Sequence, residues 1–335
     1  MTQTVLYPED RQIPDEAIER EAYRGDLALR RRHVKSLAEL ADEDCAAADG
    51  LMIMRFAVSA EDLERFPRLK VIVRMGVGYD KLPREAAAAR GILVCNVPDY
   101  GTTEVADHAM ALALALRRGI VLYHERMRRT PMLWGPVRGE LVRRSGVQSF
   151  GIIGLGRIGT AVALRARAFG FRVLFYDPYL PNGAELGLGV GRATSLEDLL
   201  RESDTVSVHT PLTPETRHML GQRELSLLPR GAIVVNTARG PIIDLDALIA
   251  SLRSGHLAGA GLDVLPVEPP AEPYPEILAA YRAREEGLEG RLVITPYAAW
   301  FTPQSEADTR RKSAETMRAA LLTNRPQNVI TPEMF

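Results

Sequence analysis

Phe150-Gly151-Ile152-Ile153-Gly154-Leu155-Gly156-Arg157-Ile158-Gly159 runs from a short apolar stretch through three spaced glycines into a helical run, 160–169. The order strand, glycine turn, helix carries the information, because the bare spacing G-x-G-x-x-G is weak on its own. Gly154 permits a tight turn, Gly156 lets the backbone approach a pyrophosphate, and Gly159 lets helix and strand pack closely. The helix start, at Arg157 and Ile158, then points free N–H groups and the positive end of its dipole at the phosphates. Asp177 follows 18 residues after Gly159, at the end of the apolar run 173–176. A carboxylate there accepts hydrogen bonds from the ribose hydroxyls. Pro178 and Tyr179 come next, with no adjacent Arg or Lys to hold a 2′-phosphate, so the turn reads as a site for NAD in preference to NADP.

Strands and helices alternate on both sides of this turn. Downstream, candidate strands fall at 150–153, 172–176, 205–208, 232–236, 259–263 and 292–295, which matches a doubly wound sheet. Upstream, Val5-Leu6-Tyr7 and the runs 51–54, 69–73 and 92–97 are short strands separated by helical stretches, an α/β pattern with a parallel sheet covered on both faces. Between the halves, 103–118 is strongly helical. It starts with a Thr-rich N-cap and carries Glu104 and Asp107 early, and its Ala/Leu pattern suits burial between domains or subunits. A last helix, 305–322, has Arg and Glu on one face and ends at Asn324-Arg325-Pro326.

Composition narrows the function classes. A chain of 335 residues can bury one large core or two modest ones, and 46% hydrophobic with 25% charged residues is ordinary for a globular protein. A net charge of −1 gives no pull toward nucleic acid or anionic membrane. The densest basic stretch, Arg30-Arg31-Arg32-His33-Val34-Lys35, is followed by Glu39, Asp42, Glu43 and Asp44 and reads as a solvated helix face or loop. Cys45 and Cys95 belong to no CxxC or Cys/His cluster, so no metal is expected. The apolar run 109–116 is too short to span a bilayer, and a cytoplasmic location is the expectation.

Two further segments carry chemistry. Asn236-Thr237-Ala238-Arg239-Gly240 closes one strand of the downstream half, and Gly261-Leu262-Asp263-Val264 closes the next, with Glu268 five residues after Asp263. Both lie at carboxyl ends of strands, where open α/β sheets bind ligands. With the glycine turn, these segments resemble the D-2-hydroxyacid dehydrogenase superfamily. The resemblance extends to Arg74-Met75-Gly76-Val77-Gly78-Tyr79-Asp80, Cys95-Asn96-Val97-Pro98-Asp99, Val105-Ala106-Asp107-His108, Val208-His209-Thr210-Pro211-Leu212-Thr213 and Thr216-Arg217-His218. Within it the chain is most similar to the bacterial branch related to the C-terminal-binding-protein corepressors, on the basis of Phe175-Tyr176-Asp177-Pro178-Tyr179 and Trp300.

The resemblance implies two doubly wound parallel-sheet domains with the active site in the cleft between them. A Rossmann coenzyme domain would span 99–301, and a smaller flavodoxin-like substrate domain would use 1–98 and 302–335. It also implies a small-molecule carboxylate substrate and a homodimer formed through the coenzyme domain. Arg239 would hold the substrate carboxylate and keto oxygen, since a guanidinium fork suits a planar carboxylate. Val77 and Gly78 would offer backbone N–H groups to the same carboxylate, with Arg74 and Trp300 completing the pocket. Asp263 and the Ala238 carbonyl would fix the nicotinamide carboxamide, and His209, Thr210, Pro211 and Thr216 would line the coenzyme cleft. Glu268 would pair with the catalytic histidine, raising its pKa.

That histidine is the anomaly. Ile294-Thr295-Pro296-Tyr297-Ala298-Ala299-Trp300 resembles the family segment in which a His directly follows the proline, yet Tyr297 stands there and no histidine lies downstream of His256. A phenol titrates near 10 against about 6.5 for imidazole, so at neutral pH it donates a proton but is a poor base. The expected protein is therefore an NAD(H)-dependent oxidoreductase that moves a hydride between nicotinamide and a 2-keto or 2-hydroxy acid. Reduction would be favoured, with Tyr297 as the donor. Two alternatives stay open: a catalytically weak NADH-sensing binding protein, or different NAD-dependent chemistry on a non-standard substrate, with His124 or Tyr123 in the proton role.

Overall fold

The computed structural model describes residues 2–9, 15–130, 132, 134–323 and 325–334. The chain divides into two compact units, one formed by 1–101 with 301–335 and the other by 102–300.

Among the described residues, the smaller unit holds five parallel strands in the order β2-β1-β3-β4-β5: β1 (Gln3–Glu9), β2 (Leu27–Val34), β3 (Gly50–Ile53), β4 (Val71–Arg74) and β5 (Leu93–Asn96). This is the flavodoxin-like order. Its central strands are buried on both faces and so read as unbroken apolar runs. β2 corrects the reading of residues 30–35 as a helix face or loop. It is an edge strand pairing only with β1, and edge strands carry charge without penalty because one side faces water. The acidic stretch that follows does neutralise it, but across elements: Arg30 and Arg32 converge on Asp44 at 2.8 and 2.5 Å. The Arg32 guanidinium, helped by Arg30, holds the Asp44 carboxyl below the usual carboxylate range.

The C-terminal helix Pro303–Leu322 returns to this unit. Thr302 caps it, accepting from the Ser305 amide at 3.0 Å while the Ser305 hydroxyl accepts from the Thr302 amide at 2.8 Å. Its charges do not all face solvent as one amphipathic face would. Arg310 is buried and donates to Glu19 at 2.7 and 2.6 Å, tying this helix to the helix Ala17–Tyr23. Asn324, part of the expected stop signal, lies outside the described residues.

Among the described residues, the larger unit holds seven parallel strands: β6 (Ser149–Ile153), β7 (Arg172–Tyr176), β8 (Gly191–Arg192), β9 (Thr205–Val208), β10 (Ala232–Asn236), β11 (Leu257–Leu262) and β12 (Leu292–Ile294). Their order, β12-β11-β10-β9-β6-β7-β8, is that of a doubly wound dinucleotide-binding sheet with one added strand. The two-residue β8 is absent from the sequence reading because so short a pair has no periodicity. The helix Thr102–Arg117 packs Ala106, Ala109, Met110, Leu112 and Ala113 into this unit's own core with the helix Arg157–Ala168. At its end Arg117 is fully buried, its guanidinium donating to Thr205 Oγ1 and to the carbonyls of Gly231 and Asp204.

Candidate active site

The glycine turn sits where β6 delivers it, between the ends of β7 and β9. The Gly154 amide donates to the Tyr176 carbonyl at 2.9 Å, and the His209 amide donates to the Ile153 carbonyl at 2.8 Å. The Leu155 amide donates to Asp177 Oδ2 at 2.9 Å, which places the carboxylate beside the turn. Gly159 has no room for a side chain, since a Cβ there would lie 2.0 Å from the Gly154 carbonyl oxygen. Helix and strand therefore approach at backbone contact. Around Gly156 the opposite holds: a Cβ would meet no atom within 4 Å. Beside the turn lie the open N-terminus of the helix Arg157–Ala168 and Thr210, whose Cγ2 is 2.9 Å from where a Cβ on Gly154 would lie and whose hydroxyl oxygen is buried with no hydrogen-bond partner among the described residues. Room, helix-start N–H groups and an orphaned hydroxyl together fit a dinucleotide pyrophosphate. Arg157 and Ile158 open that helix, and Pro211 and Thr216 close the β9 loop through the Thr216 hydroxyl, which donates to the Pro211 carbonyl at 2.7 Å.

His209 faces this region with Ser207 Oγ 2.8 Å from its Nε2, and burial pushes its imidazole down to about 3. The unfolded chain, titrating near 6.5, therefore binds the extra proton. The stability His209 contributes is full above about pH 6.5 and is lost as pH falls toward 3. Melting temperature should accordingly drop between pH 6.5 and 4, and less steeply for His209→Gln. Parallel curves for the two proteins would remove His209 from this account.

The chemistry-bearing residues lie at the ends of three adjacent strands, β10, β11 and β12. Arg239 follows β10 half-buried, with Asn236 Nδ2 donating to its carbonyl at 2.9 Å and its own guanidinium donating to the Ala238 carbonyl at 2.8 Å. The next residue, Gly240, is in backbone contact with the β11 loop, where a Cβ would lie 2.1 Å from the Leu265 carbonyl carbon. Asp263 is 3% exposed and organises the β12 loop. Its Oδ1 accepts from Thr295 Oγ1 at 2.5 Å and from the Ala298 amide at 2.9 Å, and its Oδ2 accepts from the Ala299 amide at 2.9 Å. The Tyr297 amide donates to the Asp263 carbonyl at 2.9 Å. Tyr297 itself is 36% exposed and held at φ 57°.

Sequence reasoning missed two members of this cluster. Thr295 donates the hydroxyl proton that anchors the loop, and His108, on the helix Thr102–Arg117, places Nε2 3.0 Å from Thr295 Oγ1 and 3.6 Å from Asp263 Oδ1. Because Thr295 gives its proton to Asp263, the His108 Nε2 must be the donor in the first contact. Their signal in the chain was faint, since a Thr before Pro and a His in an Ala-rich helix are both common as structural residues. Glu268 is brought to its own loop, with Oε1 accepting from the Leu265 amide at 2.9 Å, and it is exposed. Trp300 is half-buried at the end of the same segment.

In the smaller unit, β4 ends at Arg74, whose guanidinium donates to the Met75 carbonyl at 3.0 Å. Asn96 Nδ2 donates to the Val77 carbonyl at 2.7 Å, which orients the Val77–Gly78 peptide. Among the described residues, no group of three or more His, Cys, Asp or Glu side chains is arranged to hold a metal ion, and no helix is long and apolar enough to cross a membrane.

Fold and turn define a dinucleotide-binding α/β protein of the doubly wound class. Comparison narrows it. The family described as D-isomer specific 2-hydroxyacid dehydrogenase, NAD binding domain, matches residues 110–297. A glyoxylate reductase of Korarchaeum cryptofilum is 34% identical over 329 residues, 97% of this chain and 95% of that protein. A D-3-phosphoglycerate dehydrogenase of Methanocaldococcus jannaschii is 40% identical over 215 residues, 64% of this chain and 40% of the relative. Among solved structures, D-lactate dehydrogenase from Aquifex aeolicus, complexed with NAD and lactic acid, superimposes with a TM-score of 0.79 at 30% identity, covering 94% of each chain. The chain belongs to the D-isomer-specific 2-hydroxyacid dehydrogenase family, and it is an NAD-dependent oxidoreductase acting on CH–OH groups.

Proposed function

We propose that this enzyme works chiefly as a reductase of small 2-oxo acids, with Arg239 binding the substrate and Tyr297, in place of the family's histidine, donating the proton. The observation that carries this reading is the backbone of Tyr297. A non-glycine residue at φ 57° costs on the order of 1–3 kcal/mol and persists only where its surroundings over-determine it. Asp263 supplies that constraint through three hydrogen bonds to the segment 295–299. Such strain supports a selected presentation of the phenol at the end of β12, where a decayed site would relax.

When bound, a dihydronicotinamide would supply the hydride. Gly154, Gly156, Arg157, Ile158, Gly159, Asp177, His209, Thr210, Pro211 and Thr216 are the proposed residues for its dinucleotide, and the Ala238 carbonyl with Asp263 for its carboxamide end. Arg239 grips the substrate carboxylate and polarises the keto oxygen, while the Val77 and Gly78 amides and Arg74 serve the carboxylate and Trp300 walls the pocket. Tyr297 then transfers its hydroxyl proton to the forming alkoxide. Glu268, on the loop after β11, is the proposed carboxylate partner of whichever group carries the proton. The same reading places the chain in the bacterial branch related to the corepressors, in the cytoplasm, as a homodimer through the larger unit, where Trp134 is 84% and Met132 90% exposed.

The test is a panel of 2-oxo acids and aldehydes with NADH, run against the matching 2-hydroxy acids with NAD. Reduction of at least one 2-oxo acid, faster than its reverse at neutral pH, is the expected result. Tight NADH binding with no turnover across the panel would replace this reading with a sensor.

A further inference from the structure

The sheet order β7-β6-β9 puts the reversal of winding at β6, with β7 on one side and β9 on the other. In open α/β sheets the ligand crevice lies outside the carboxyl ends of the strands at that point. Two loops wall it. One follows β7 and carries Asp177, Pro178 and Tyr179; the other follows β9 and runs from His209 to Thr216. They are joined by a side-chain hydrogen bond between residues 36 apart, in which the Tyr179 hydroxyl donates to Glu215 Oε2 at 2.5 Å.

Both ends of this bridge are held in place. The Tyr179 amide donates to Asp177 Oδ1 at 3.0 Å, while the other oxygen of that carboxylate accepts from Leu155 in the glycine turn. Glu215 belongs to a turn closed by the Thr213 amide, which donates to Thr216 Oγ1 at 2.8 Å. The bridge therefore draws a second carboxylate toward the Asp177 side of the crevice. The phenol registers both acids: its pKa is pushed up first by the hydrogen bond to Glu215, with the charges of Glu215 and Asp177 adding to it. Arg192, the guanidinium nearest in sequence after Asp177, is held by other groups: it stacks 4.7 Å from the Phe175 ring centre, donates to Glu185 at 2.9 Å, and donates to the carbonyls of Pro181, Leu180 and Asp177 at 2.8, 3.2 and 3.4 Å.

We propose that Glu215, held in place by Tyr179, is a second coenzyme-specificity residue that acts with Asp177 to turn away dinucleotides bearing a 2′-phosphate. The proposal rests on the dinucleotide reading of the glycine turn. A phosphate monoester carries about −1.5 to −2 charge at neutral pH. Placed at the ribose edge, it meets two carboxylates, whereas a ribose hydroxyl meets two acceptors. Because Tyr179 and the bridge are solvent-exposed, screening limits the effect to about tenfold in affinity.

The experiment measures dissociation constants of NADH and NADPH by the fluorescence of the reduced nicotinamide, which needs no substrate. Glu215→Gln should tighten NADPH about tenfold relative to NADH. Tyr179→Phe, which releases Glu215 without removing its charge, should shift the ratio the same way by a smaller factor. Raising salt should narrow the NADH preference of the unaltered enzyme more than that of Glu215→Gln. An unchanged NADPH-to-NADH ratio in Glu215→Gln, or no response to Tyr179→Phe, overturns the proposal while leaving the coenzyme site intact. Failure of the unaltered enzyme to bind either nucleotide would overturn the dinucleotide reading itself.

Discussion

Tyr297→Phe should lower kcat for reduction of a 2-oxo acid by about 10²–10⁴, the usual contribution of one positioned acid, with NADH affinity essentially unchanged. The substitution removes one oxygen from a residue whose amide, not its hydroxyl, joins the Asp263 network, so the loop 295–299 should keep its conformation. KM should stay close to its original value, because the proton is delivered at the transition state and the ground-state contacts of the substrate belong to other groups. Steady-state rates at the NADH absorbance, with a thermal melt to confirm folding, decide the matter. An unchanged kcat would take the proton role away from the phenol and direct attention to His108, the imidazole that touches the same segment. The reciprocal change, Tyr297→His, should raise the oxidation of 2-hydroxy acids more than the reduction of 2-oxo acids, because imidazole can accept as well as donate a proton at neutral pH.

Arg239→Leu should be as damaging by a different route. It removes both the fork that orients the carboxylate and the charged donor that stabilises oxyanion character on the keto oxygen. Loss of one such donor alone costs about 10²–10³ in kcat, and loss of orientation adds to KM, so kcat/KM should fall by 10³ or more, as an order of magnitude. Leucine keeps the apolar volume of the stem at a half-buried position, and the Asn236 contact to the backbone of residue 239 survives. NADH binding should persist. A variant that loses turnover and NADH binding together would show that Arg239 supports the coenzyme site, and the substrate assignment would fall.

The two effects should not multiply. Both side chains act on the same developing alkoxide, and groups that act as a unit give non-additive losses. The double variant should therefore be only slightly worse than Arg239→Leu.

Much of the fold can be read locally. The central strands of both sheets are buried on two faces and so announce themselves as apolar runs, and the glycine turn states its own backbone requirement: Gly159 stands where a Cβ would strike the carbonyl of Gly154, five residues earlier. The elements that escaped reading are those whose reasons lie elsewhere in the chain. β2 looks like a charged loop because its arginines are answered by Asp44 on another element. β8 is two residues long and exists only as the partner of β7. Arg310 looks like a surface charge until Glu19, 291 residues away, is brought against it.

The candidate site divides the same way. Residue type and position at strand ends nominate Arg239, Asp263 and Tyr297, since parallel sheets collect ligand-facing groups at their carboxyl ends. Nothing local says that the carboxylate of Asp263 accepts from Thr295, Ala298 and Ala299, that His108 reaches Thr295, or that Glu215 meets Tyr179. By itself the sequence determined the coenzyme turn and the alternating α/β architecture, because glycine spacing and hydrophobic period act over a few residues. Only the tertiary structure decided which side chains at the strand ends share a hydrogen bond, because that depends on strand order and register, to which no single segment of the chain contributes more than one edge.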